Sequence, residues 1–208
     1  MSRARLLALV APPFIALWAA PGIAQAHLMA TGLGPLYDGV SHFGLSPEDI
    51  LPVVTLALFA GLKGPAHCRA AALALPGAWI LGGIAGLSGL PWPPIAVSVA
   101  SAAMLLAAGG LLASNVRAAP RLCAAAAGGL GLICGLGDVA GVAMTPAHLV
   151  SLAGMAAAAA AVFVLAASLT LPLTRLWMIV AARVAGSWMA ALGLLAAGWV
   201  IRYGALAR

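Results

Sequence analysis

Long apolar stretches alternate along the chain with short breaks where Pro, Gly and single basic residues collect. A helix needs roughly 20 mainly apolar residues to cross a bilayer, and the stretches repeatedly reach that length. Their extent and punctuation predict six spans, about 47–62, 70–90, 95–114, 122–142, 147–171 and 176–201. The expected fold class is all-α, a polytopic membrane helical bundle. Within the spans, Gly82 with Gly86, Gly131 with Gly135 and Gly137 with Gly141 recur at helical spacing, which lets helix backbones approach closely in lipid. The Gly-rich run AAGGLGLICGLGD is no nucleotide loop, because no strand precedes it and no Lys follows it.

Composition supports the same picture. Of the 208 residues 64% are hydrophobic and 7% charged, whereas about a quarter of a soluble domain is charged. Ten Lys and Arg outweigh four acids, but they stand singly between apolar runs and read as topology, so no nucleic-acid partner is expected. Lys63 and Arg69, then Arg117 and Arg121, then Arg175 fall between alternate spans, while LPWPP (90–94) and AMTPAH (143–148) contain no base. The positive-inside rule then places the mature N-terminus on the extracytoplasmic side of a plasma (inner) membrane; Arg202 and Arg208 go against it. At the start, Arg3 and Arg5, an apolar run and Ala24-Gln25-Ala26 have the form of a secretory signal peptide. The expected division is a cleaved signal over 1–26 and a membrane domain over 27–208, beginning at His27. Cys68, Cys123 and Cys134 form no CxxC pair, which argues against a disulfide framework or zinc ribbon.

Charge is most informative where it is negative. Asp38, Glu48 and Asp49 fall with His42 in the stretch DGVSHFGLSPED, and the fourth acid, Asp138, lies near the end of the fourth span. The predicted topology puts all four, together with His27 and His148, on the outer side and leaves only His67 inside. Ser46-Pro47-Glu48-Asp49 is a good helix start, with Ser46 as N-cap, Pro47 in the first position and acids where the helix dipole favours them. That reading alone leaves Asp38 and His42 unexplained; four apart, they share a face if the segment is helical. Two readings stand together: a charged lip that anchors the first span, and a cation site. The expected ligands are Asp38, His42, Glu48 and Asp49, with His27 and Asp138 as secondary candidates. Imidazole with carboxylate suits nickel, cobalt, zinc or copper(II) better than calcium, which takes oxygen alone.

The remaining polar positions set limits. No nucleophile is identifiable, so the chain is not expected to be an enzyme. No nucleotide motif is present, so any transport would be passive or coupled to another ion. Pro52 and Pro76-Gly77 are the expected helix breaks, and Arg183 is expected to snorkel towards the inner surface.

The segment YDGVSHFGLSPEDILPVVTLALFAGLKG resembles the opening of the HupE/UreJ family, membrane accessory proteins of hydrogenase and urease systems regarded as nickel permeases. Members have a signal peptide, about six spans and a stretch of the form HGxxHPLxGxDHLLAM. Here the spacing is kept, with Asp38 in place of the first His, His42 retained, Glu48 in place of Asp and Asp49 in place of the last His. A His-rich site thereby becomes a carboxylate-rich and harder one. The resemblance implies a permease for a divalent transition metal, nickel first, with cobalt, zinc or copper as alternatives. The second function it implies is a non-transporting, metal-binding accessory protein of a metalloenzyme maturation system. The expected partners are the lipid bilayer and the metal ion.

Overall fold

The structure is a computed structural model and describes residues 31–173 and 175–204. The expected signal segment, Met1–Ala26, and His27 lie outside the described residues. The elements are α1 (Pro35–Leu45), α2 (Pro47–Lys63), α3 (Pro65–Gly86), α4 (Pro94–Ser114), α5 (Pro120–Val139), α6 (Pro146–Thr170) and α7 (Leu176–Gly204), with no strand among the described residues. Helices α3 to α7 are five that are long and apolar enough to cross a membrane, and α1 with α2 make a sixth candidate, bent by 75°. The chain is thus an all-α polytopic bundle, as its apolar pattern predicts, with α1 added ahead of the expected first span.

Proline sets most of the helix starts. Each helix from α1 to α6 opens on Pro, whose missing N–H costs nothing at the first position and whose ring pushes the preceding residue out of the helical region. Ser46 before Pro47 is accordingly extended (φ −98°, ψ 92°) and divides α1 from α2. Gly64 alone, at φ 106°, separates α2 from α3, so the expected first inner loop shrinks to one residue. Pro52 and Pro76, by contrast, lie inside continuous helices. Interior prolines are tolerated where neighbouring helices hold the chain, and Pro52 is itself buried while Leu75, just before Pro76, is fully so. The break of the first span therefore falls at Ser46.

Glycine sets the pairing. α3 and α5 run parallel, with Gly82 against the backbone of Leu132, Gly86 against that of Leu136, Gly131 against that of Leu75 and Gly135 against Trp79. α4 and α7 pair through Gly109, Gly186 and Gly193, and α1 crosses α6 where Gly39 meets Ser151 and Gly154 meets Leu36. Close approach of this kind supplies the van der Waals contact that associates helices in lipid. Gly137 and Gly141 do not form such a pair: Gly137 faces Val97 of α4, and Gly141 lies beyond the end of α5 at φ 81°. Trp79, Phe43, Phe59, Phe163, Leu56 and Met155 fill the centre.

Basic groups gather at one end. Lys63 Nζ donates to Asn115 O (2.9 Å) and Oδ1 (2.6 Å), His67 Nε2 lies 2.9 Å from Ala118 O, and Arg183 Nε donates to Ala113 O at 2.8 Å. Arg183 thus reaches the closing carbonyls of α4, as snorkelling requires.

Candidate metal centre

At the opposite end of α2, three helices bring their ends together. The bend at Ser46 places the last turn of α1, carrying His42, beside the first turn of α2, carrying Glu48 and Asp49. Ser46 occupies the expected N-cap position, but its hydroxyl donates backwards to His42 O at 2.8 Å and so ties the two helices. Asp138, in the last turn of α5, comes to the same place because the glycines of α5 set that helix hard against α3.

Ligand atoms of His42, Asp49 and Asp138 all lie within 4.8 Å of one another. His42 Nε2 stands 3.7 Å from Asp138 Oδ1, with the two side chains 7% and 8% exposed. The other oxygen, Asp138 Oδ2, accepts from Trp79 Nε1 at 3.1 Å. The indole thereby fixes which oxygen turns to His42, and its ring meets Phe43 edge-on at 5.7 Å. Asp49 is 4% exposed, and its Oδ2 is buried without a hydrogen-bond partner.

The group borders a partly open cavity of about 440 Å³, lined also by Glu48, Cys134, Ser98, Ser101 and Leu105. Two carboxylates this close repel each other when both are ionised, and a buried carboxylate oxygen without a donor is costly. A divalent cation offsets both costs. A first-row ion binds N and O donors at about 2.0–2.2 Å, so two donors on one ion stand up to about 4.4 Å apart, and a contraction of under about 1 Å would bring all three residues onto it. His42, Asp49 and Asp138 are therefore the residues that could hold a metal.

The other expected ligands are placed differently. Glu48 is exposed and borders the same cavity. Asp38 is not among the lining residues; its Oδ1 accepts from Thr31 N (2.6 Å) and Thr31 Oγ1 (2.7 Å), which ties down the turn before α1. His148 turns to its own loop, with Nδ1 2.7 Å from Ala143 O. The sequence alone ranks Asp138 second and does not count Trp79, Cys134, Ser98 or Ser101 among the ligands. One signal was readable: Cys134 and Asp138 are four apart on one predicted span and so share a face.

Comparison with known proteins places this geometry. The model of the family described as HupE / UreJ protein matches residues 15–196, most of the chain. The chain belongs to the HupE / UreJ family. No curated protein and no solved structure matches it. The range matched to the HupE / UreJ model contains His42, Asp49 and Asp138, so the whole cluster lies within the family's own portion of the chain.

Proposed function

We propose that this HupE / UreJ protein is a permease for a divalent transition metal of the nickel type, which it captures with His42, Asp49 and Asp138. Glu48 stands at the mouth and draws the cation in. The observation that carries this reading is the meeting of one imidazole and two carboxyl groups at a partly open cavity, with Asp49 Oδ2 lacking any partner. A purely structural His42–Asp138–Trp79 network accounts for Asp138 but gives Asp49 no role. Nitrogen with oxygen donors suits nickel, cobalt, zinc or copper(II), and family membership favours nickel. The cluster faces outward if the basic end, with Lys63 and Arg117, is cytoplasmic. The chain then resides in the plasma membrane, with residues 1–26 acting as its signal.

One feature favours a second reading, a metal-binding accessory protein that does not transport. Beyond Asp49 the buried side chains of α2 are apolar apart from Thr55, with Val53, Leu56, Ala57, Phe59 and Ala60 almost wholly enclosed, so that helix offers a cation one buried polar side chain on the way through. Proteoliposomes carrying the purified protein decide between the two. A permease accumulates radioactive nickel, and His42→Ala lowers the initial rate by about tenfold or more, equivalent to about 1.4 kcal/mol of lost binding. Binding without uptake establishes the accessory reading, and equal uptake by wild type and variant removes the cluster from the path.

A further inference from the structure

Cys134 lies four residues before Asp138 on α5, the spacing that puts two side chains on one helix face. It is 3% exposed, lines the same cavity, and its thiol stands beside the Asp49 carboxyl. Asp49 supplies the independent sign of a ligand: it is 4% exposed, it borders the cavity, and its Oδ2 has no partner. The sulfur lies outside the set whose members are all within 4.8 Å of one another. A step between staggered χ1 wells carries a cysteine sulfur by about 3 Å, and a metal–sulfur bond of about 2.3 Å reaches further than one to nitrogen or oxygen.

We propose that Cys134 is the sulfur ligand of the cation site, so that the site presents one nitrogen, two carboxyl groups and one thiolate to a thiophilic divalent ion. This rests on the cluster's being a cation site at all. As the metal–sulfur bond forms the S–H bond breaks, and the proton leaves to solvent through the open mouth past exposed Glu48. Specificity follows from the donor set. Carboxylates alone accept magnesium, calcium or manganese, whereas a thiolate shifts preference to cobalt, nickel, zinc and copper. Exchange of histidines for carboxylates in the DGVSHFGLSPED stretch hardens the site, and Cys134 from a distant helix restores its softness.

Cobalt(II) is the probe, because a cobalt–thiolate bond gives an intense near-ultraviolet charge-transfer band. Full-length protein in detergent is titrated with cobalt(II) in a Cys68→Ser, Cys123→Ser background, where Cys134 is the remaining thiol. The expected result is a band that saturates at about one equivalent. It is lost in the added Cys134→Ser variant, which still binds cobalt, and a tenfold excess of manganese does not displace cobalt from the parent. Cobalt bound without the band overturns the sulfur ligand and leaves the cation site standing. Failure to bind cobalt at all overturns both. The cadmium-113 resonance of the same Cys68→Ser, Cys123→Ser protein gives a second reading: a shift in the thiolate range supports Cys134, and a shift in the oxygen and nitrogen range overturns it.

Discussion

Asp49 Oδ2 is buried with no hydrogen-bond partner, and a polar atom left so costs about 1–3 kcal/mol. If a cation is its natural partner, that cost is offset only in the loaded state. Asp49→Asn should therefore leave the metal-free melting midpoint unchanged or raised while abolishing the metal's effect. Wild type at a hundredfold excess of nickel over Kd gains about 2.7 kcal/mol; thermal unfolding in detergent with and without nickel measures both quantities. A variant that melts far lower metal-free yet keeps its response to nickel would make Asp49 a structural group. The residue scale is also where sequence reading was least able to choose. Asp38 and His42 are one helical turn apart, but Thr31 engages the first and Asp138 meets the second. Both outcomes depend on what neighbouring segments bring, and the spacing of the two residues is silent on that.

At the level of elements, Gly135 connects packing to chemistry. It sits against the Trp79 backbone, one turn of α5 below Asp138 and beside the indole that holds that carboxylate. A side chain here pushes α5 off α3, and overpacking costs about 1–3 kcal/mol. Gly135→Val should lower the melting midpoint and weaken nickel binding together. Gly128→Val on the same helix, with no atom within 4 Å of the added carbon, should change neither; calorimetric titration and unfolding of the pair supply the comparison. Most helices and two of the three glycine pairs were legible in advance, since apolar length and small-residue spacing are local properties. Gly137 and Gly141 share that spacing but fail to pair because α5 ends between them. Pro52 and Pro76 looked like breaks but are held in their helices by tertiary packing, whereas Pro47 breaks the chain.

For the whole molecule the main expectation is sidedness. Lys63, the α4–α5 connection and Arg183 share one end, and His42, Asp49 and Asp138 lie some 20 Å away along α2, at about 1.5 Å per helical residue. In a chain whose native cysteines are replaced, single cysteines at Trp92 and Thr145 should react in intact cells with a membrane-impermeant maleimide. One at Arg117 should react only after permeabilisation. The reverse pattern would turn the cluster towards the cytoplasm and make uptake through it untenable.

The amino-acid order by itself determined that this is an all-α membrane protein, about where its spans begin and end, and which end carries the positive charge. Each of these follows from hydropathy, proline and basic residues acting over a single helix. Tertiary structure decided which polar groups meet. Asp138, Cys134 and Trp79 come from helices other than α1 and α2, and although the glycine spacing of α3 and α5 marks a face for close packing, it does not say which helix that face meets. Close glycine contact between those helices fixes the rotation, and the rotation assembles the site.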